Sequence, residues 1–213
     1  MKVNPRTQTT RQLLLSTGMQ LVCEGGLRSL TVRGLAQRAG VNPGSFVYHF
    51  GSREAFLSEL IESWYQPLFA GLQLRQAEAA SALVRLRSMV LQLLDFLIAQ
   101  RVFVTHLLQD VAAGEPAAVA FVRSMGQRHP LLLLAAVREA QADGELVSAD
   151  PWQQMLFIMA SLAAPVMLAQ MVSGLAALPA DWVSMEQQLA LDRQAIVQRL
   201  DWALKGLRPE GER

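Results

Sequence analysis

One stretch limits what this chain can fold into more than any other. Residues 30–50 read LTVRGLAQRAGVNPGSFVYHF. Val32, Leu35, Ala36 and Ala39 fall at i, i+3, i+4 and i+7, which is one face of a helix. Gly40 follows. Lacking a Cβ, it can enter the left-handed backbone region that closes a helix. Asn42-Pro43 then restarts one. Asn caps a helix well, and Pro at the first helical position gives up only an N–H that has no helical partner. Phe46 and Phe50, four apart, give the second helix an apolar side. The pattern predicts two short helices around a tight turn, a helix-turn-helix. Its second helix is the one suited to a DNA major groove.

The rest of the composition agrees with helices. Of 213 residues, 52% are hydrophobic, enough for a large core, and no run alternates in the manner of a strand. Helix formers dominate, so an all-α protein is expected. The net charge of +1 conceals an asymmetry. Residues 1–56 hold seven Lys/Arg against two Asp/Glu, a net +5, which leaves −4 for the remainder. A basic segment that coincides with a helix-turn-helix points to a polyanion partner. A single cysteine, Cys23, allows no disulfide within the chain and fits a reducing compartment. It reads as a packing residue. Residues 1–11 are polar, without the apolar region of a secretory signal, so a cytoplasmic protein is expected.

Along the chain, a first helix is expected from Thr9 or Thr10 to Gly25-Gly26. Leu14, Leu21 and Val22 form its buried stripe, and Gly18 in that stripe suggests close approach by a neighbour. Thr31 should cap the second helix. Ser52 should cap a long connecting helix with Phe56, Leu57, Leu60, Ile61, Trp64 and Leu68 on its apolar side, bent or ended by Pro67 and Gly71. Further helices are expected to about Gln100, from Val102 to Ala113, and from Glu115 to Ala142 with a bend at His129-Pro130. One more should start behind Asp150-Pro151, and a last one behind Asp181. That makes about nine helices in three parts: a reading domain over 1–51, a connecting helix over 52–71 and a larger helical domain over 72–213. Residues 151–180 carry no charged side chain and have Trp152 and Trp182 near their ends, which is long enough for a bilayer. Gln153, Gln154, Ser161, Pro165, Gln170 and Ser173, without flanking Lys/Arg clusters, favour instead a helix buried in a core and a subunit interface.

The order R-x-x-L-L, then residues 30–50, then GSREAFL resembles the DNA-binding domain of the TetR family of transcriptional repressors over about residues 10–65. The phrase DGEL before Asp150-Pro151 fits the same family. The resemblance implies a homodimer, with the uncharged helix from 151 and the helix from Asp181 forming a four-helix bundle with the partner copy. It implies double-stranded DNA with a palindromic operator, read by two heads about 34–36 Å apart or a multiple of that. It also implies a small molecule in the C-terminal domain that shifts the connecting helix, so DNA must reciprocally weaken ligand binding. Position by position, it implies a phosphate contact and a base contact at Thr31 and Arg33. Asn42, Pro43, Gly44 and Ser45 open the recognition helix toward base edges, and Tyr48 and His49 contact the backbone. Arg53, where the family usually has Lys, would hold a phosphate. Val47 stands where the family usually has Tyr and cannot donate a hydrogen bond, and Gly44 has no side chain to read a base. Direct readout then falls to Arg33, Asn42 and Ser45.

An effector site is expected among the Leu, Met and aromatic residues of the larger part. Candidates on the earlier helices are Phe96, Phe103, His106, Leu107 and Met125. Those on the later ones are His129, Trp152, Phe157 and Met167. Such a lining suits an apolar or aromatic molecule. His106 and Asp110, at i and i+4, offer a polar anchor. No metal-ligand spacing, nucleophile elbow, P-loop or dinucleotide fingerprint occurs, so no metal, cofactor or enzymatic activity is expected. The rival readings are a DNA-binding regulator controlled by a protein partner, or one anchored to a membrane through 151–180.

Overall fold

The computed structural model describes residues 5–78, 80–172, 181, 184, 188 and 190–209. Among these there are ten α-helices, one 3-10 turn and no strand, as the composition predicts. The helices are α1 (Pro5–Gly25), α2 (Val32–Ala39), α3 (Pro43–Phe50), α4 (Arg53–Gln76), α5 (Ala82–Ala99), α6 (Arg101–Ala112), α7 (Pro116–Ser124), α8 (His129–Ala142), α9 (Pro151–Val172) and α10 (Arg193–Gly206).

The chain divides into two packing units, Met1–Gln66 with Val102–Ser124, and Pro67–Arg101 with Met125–Arg213. The division differs from the linear one expected over 1–51, 52–71 and 72–213. Helices α6 and α7 pack with the reading helices, and α4 runs through both units. Contacts between residues far apart in sequence decide such a grouping, and no local pattern encodes them.

In the first unit, the predicted punctuation is present. Thr31 Oγ1 accepts the Gly34 N–H at 3.1 Å, and Asn42 Oδ1 accepts the Gly44 N–H at 2.7 Å. Gly40 closes α2 at φ 66°, and Pro43 occupies the first turn of α3. Ser52 Oγ accepts the Ala55 N–H at 3.1 Å ahead of α4. α1 starts earlier than expected, at Pro5, a residue whose fixed φ suits a helix start. Leu14 and Val22 are buried, with Leu21 half-buried. Burial, then the neighbouring Glu24 charge, push the Cys23 thiol up in pKa, so it stays protonated.

The centre of this unit is aromatic. Phe46, Phe50 and Phe56 meet with ring centroids 4.8–5.5 Å apart. The Phe56 ring also lies on α1 at Gly18, where a Cβ would stand 2.5 Å from Cζ. A second aromatic group holds α4 to α6 and α7: Trp64 on Phe103 at 4.3 Å, and Tyr65 on Phe121 at 5.4 Å.

In the second unit, α8 packs on α5 and α9, and α10 packs on α9. Pro67 and Gly71 do not end α4, which continues to Gln76. Without a Cβ, Gly71 leaves room for Gln92 of α5. The helix expected over Glu115 to Ala142 is two helices, interrupted by a 3-10 turn over Met125–Gln127. The ring of Pro130 demands that the chain restart there, so it sits in the first turn of α8. DGEL has a structural role. Gly144 turns the chain at φ 73°, Glu145 accepts the Leu83 N–H at 2.9 Å, and Leu146 is buried. Asp150 caps α9 by accepting the Gln153 N–H at 2.9 Å.

The last described helix is capped by Asp192, whose Oδ1 accepts the Ala195 N–H at 2.8 Å. Asp181 is itself helical and exposed. Ser173, Trp182, Met185 and Leu189 lie outside the described residues.

Helix α9 is long and apolar enough to cross a membrane, by length and composition. It has two unlike faces. Gln154, Ile158, Leu162, Val166 and Ala169 are buried. Gln154 donates to the Val147 carbonyl at 2.8 Å and accepts from Gln141 at 3.1 Å. Trp152, Leu156, Ala160, Ala164, Leu168 and Met171 recur every three or four residues and are exposed.

Overpacking a rigid core costs about 1–3 kcal/mol. Gly18→Leu should therefore lower unfolding stability by about that amount, since Phe56 is fully buried between Phe46 and Phe50 and cannot yield. Denaturant melts measure it; an unchanged midpoint would remove the close contact from the account of α1.

Candidate nucleic-acid interface

The eight residues of α3 are too few to stand as an isolated helix. Phe46 and Phe50 anchor it to the aromatic core, and the opposite side is left to solvent. On that side Tyr48 is 78% exposed and Val47 57% exposed. Asn42, Pro43 and Gly44 are exposed and Ser45 is half-buried. The first turn of α3 thus presents its N-terminal end, where the positive end of the helix dipole suits phosphate oxygen; its Gly44 and Ser45 N–H groups are bound to Asn42. Asn42 Oδ1 already accepts the Gly44 N–H, so only its amide nitrogen remains to donate outward. His49 is half-buried, with its ring 5.1 Å from Tyr48 and 6.1 Å from Phe50.

Thr31 and Arg33, at the start of α2, are both exposed. Thr31 Oγ1 holds the cap of α2 and keeps its hydroxyl proton to donate. Arg33 makes no side-chain hydrogen bond or ion pair among the described residues. It stands apart from four other arginines of the segment. Arg11 pairs with Glu59, Arg28 with Asp110, Arg38 with Glu24 and Arg53 with Glu115.

Arg53 departs from the sequence expectation. Its Nε donates to the Leu30 carbonyl at 2.8 Å and its Nη2 to the Leu27 carbonyl at 2.7 Å, with Glu115 carboxylate oxygens at 3.4 Å. Its side chain is only 24% exposed. The fork is committed inside the unit rather than held out for a phosphate. The basic excess shrinks for the same reason. Counted over the whole first unit, eight Lys/Arg face six Asp/Glu, a net +2 where residues 1–56 alone have +5.

The residues expected to line an effector site fall in both packing units. Phe103 and Leu107 are buried in the first unit, and His106 there is half-buried. Phe96, Met125, His129 and Met167 are half-buried in the second. Trp152 and Phe157 do not fit an interior lining, being 47% and 51% exposed on α9, where helical periodicity turns them away from the buried stripe. The polar anchor His106–Asp110 is also corrected. Both Asp110 oxygens face α1 and the turn after it, one accepting from Leu27 and the other from Arg28. Burial first, and the Arg128 charge second, lower the His129 pKa to about 4, so its imidazole is neutral at physiological pH. In the sequence Glu115 marks only a helix start, as an acid just before Pro116.

Comparison with known proteins agrees with this geometry. Residues 14–60 match the model of the bacterial regulatory proteins of the tetR family. The HTH-type transcriptional repressor KstR2 of Mycobacterium tuberculosis H37Rv is 33% identical over 88 residues, 41% of this chain and 44% of that protein. The chain thus matches less than half the length of that curated relative. Among solved structures, the ketosteroid transcriptional regulator KstR2 of M. tuberculosis aligns with a TM-score of 0.64 at 23% identity, over 98% of each chain. The regulator FadR of Bacillus subtilis, in complex with stearoyl-CoA, aligns with a TM-score of 0.68 at 15% identity, over 92% of this chain and 99% of that one. At these identities the two structures establish the fold.

Tyr48→Ala should leave stability within about 0.5 kcal/mol, as an exposed surface change does, while weakening DNA binding. Arg33→Ala and Ser45→Ala should flatten sequence preference, each removing about 1–3 kcal/mol of discrimination at the base it reads. Binding to a library of operator variants checks both; an unchanged preference would take the base contacts away from these residues.

Proposed function

We propose that this chain, which belongs to the TetR family of bacterial regulatory proteins, is a repressor that leaves its operator when an apolar effector binds. The observation that carries the DNA-binding part is the exposed first turn of α3 beside an unpaired Arg33. Together they offer a positive helix end, one guanidinium and the Tyr48 hydroxyl on a rigid base. Arg33, Asn42 and Ser45 are assigned to bases, and Thr31, Tyr48 and His49 to the sugar-phosphate backbone. Pro43 and Gly44 keep the turn slim enough to enter a groove.

A dimer is part of the proposal. The exposed stripe of α9 is uncharged, with large residues near its ends and Ala160 and Ala164 at its middle. Small residues at the centre let a second helix approach closely, and a second copy supplies an identical surface about a two-fold axis. Lipid is the other apolar partner for such a stripe. The opposite face, with the buried and hydrogen-bonded Gln154, favours a protein neighbour. Placing a charge there separates the readings. Ala164→Glu should give a folded monomer in detergent-free buffer with much weakened operator binding, read by sedimentation velocity. An unchanged, fully active dimer would refute the α9 interface.

The effector class rests on the apolar half-buried residues Phe96, Met125 and Met167, and on relatives whose names point to ketosteroids and to stearoyl-CoA. A long-chain acyl thioester or a ketosteroid is the class proposed. At a hundred times its Kd, the right ligand should stabilise the fold by about 2.7 kcal/mol. It should release operator DNA, and DNA should weaken its binding by the same factor. Thermal shifts with stearoyl-CoA, free stearate and a ketosteroid test this; no shift with any of them would sink the apolar-effector reading.

A further inference from the structure

Two buried carboxylates lie where neither DNA nor effector accounts for them. Asp110, near the end of α6, is 2% exposed, and Glu115, just before α7, is 6% exposed. Buried carboxylates persist only where charge and hydrogen bonds offset their desolvation. Here the partners belong to the loop over 26–30, which leads from α1 into α2. The Leu27 N–H donates to Asp110 Oδ2 at 2.6 Å, and Arg28 Nε donates to Oδ1 at 3.0 Å. Gly26 lies beneath the carboxylate at φ 79°, and a Cβ there would come within 3.0 Å of Oδ2. Both the backbone angle and the space therefore ask for glycine at this position.

The same loop is held from its other side. Arg53 donates to the carbonyls of Leu27 and Leu30, and Glu115 balances its charge from 3.4 Å. The two acids are themselves tied together, because the Glu115 N–H donates to the Asp110 carbonyl at 2.9 Å. Three backbone groups of a five-residue loop are thus bound by side chains from α4 and α6. None of the three is satisfied by a helix, and only the Leu27 carbonyl has a further partner in the loop, the Leu30 N–H at 3.2 Å. Immediately after the loop come Thr31 and Arg33, on the interface.

We infer that Asp110 and Glu115 are positioning residues for DNA reading. With Arg53 they form a latch that fixes the entry of α2, and so the pose of Arg33 and of α3, while touching no DNA themselves. The inference rests on the DNA-binding reading above. It also reassigns Arg53 from phosphate clamp to latch, and the two roles differ in their salt signature.

The test uses the full chain, DNA fragments selected by the wild type, and unrelated fragments of equal length as the non-specific control. Asp110→Asn, Glu115→Gln and Arg53→Gln are titrated against both across a range of salt. Neutralising an acid should, on charge alone, tighten binding to a polyanion. The latch predicts the opposite for the selected sequence: a loss of ten-fold or more with Glu115→Gln and Asp110→Asn, while non-specific affinity holds or rises. A smaller folded fraction would lower both affinities together, so the ratio of specific to non-specific binding isolates positioning from mere instability. Arg53→Gln should lower the same ratio with an unchanged salt slope. Loss of a phosphate contact would instead reduce that slope by about 0.9. The double variant Arg53→Gln/Glu115→Gln should be no worse than the poorer single one.

If Asp110→Asn does not fold, Glu115→Gln carries the test alone, since Glu115 meets Arg53 at longer range. Unchanged or tighter specific binding by a folded Glu115→Gln, or a reduced slope for Arg53→Gln, overturns the latch and leaves DNA binding standing. A wild type that selects no sequence overturns the DNA-binding reading and the latch with it.

Discussion

The contact between the Phe56 ring and the bare Cα of Gly18 underlies the reading head. Helix α3 is too short to be stable alone, so its position is whatever Phe46 and Phe50 can grip. They grip Phe56, and Phe56 can lie there only because α1 has no side chain at position 18. Aromatic rings in a packed core have few alternative placements, so a helix anchored on three of them is held in both tilt and rotation. The exposed side of α3 inherits that precision. Val47 and Tyr48 point outward because Phe46 and Phe50 point inward.

Charge in the same unit is organised by pairing rather than by accumulation. Four arginines that raise the net charge of residues 1–56 each meet a carboxylate, and two of those carboxylates come from α6 and the turn after it. Among the described residues, what remains for a nucleic acid is a small number of groups with defined geometry. Such an interface places more weight on hydrogen-bond direction than on long-range attraction, and its salt dependence should be correspondingly modest. The grouping of α6 and α7 with the reading helices has the same origin. Asp110, Glu115, Phe103 and Phe121 bind them there through ion pairs, a backbone amide and tilted and edge-on ring contacts.

The second unit solves a different problem. Helix α9 carries apolar side chains all round, and α8 and α10 cover one side of it. The remaining stripe asks for a further partner, and its small central residues and lack of charge are compatible with a like helix. Gln154 marks the covered side, since a buried amide must have its bonds and finds them in Val147 and Gln141.

Most local chemistry was legible in the amino-acid sequence, though not the Pro5 start of α1 or the Asp192 cap of α10. The Thr31, Asn42, Ser52 and Asp150 caps, the Gly40 turn and the alternation of Phe46 and Phe50 with Tyr48 depend on neighbours within a few residues, and such signals are written in order along the chain. So were the all-helical class and the resemblance to the tetR family, whose model matches residues 14–60. Tertiary structure alone decided whatever depends on residues far apart. Arg53 reads as a free cation beside a helix start until Glu115, 62 residues on, is seen to balance it. Asp110 reads as a partner for His106 until the Leu27 amide, 83 residues back, is found against it. Trp152 and Phe157 read as lining until the covered face of α9 proves to be the other one. A helix states its periodicity in its sequence, but which of its faces is covered, and by what, is settled only by the elements that pack against it.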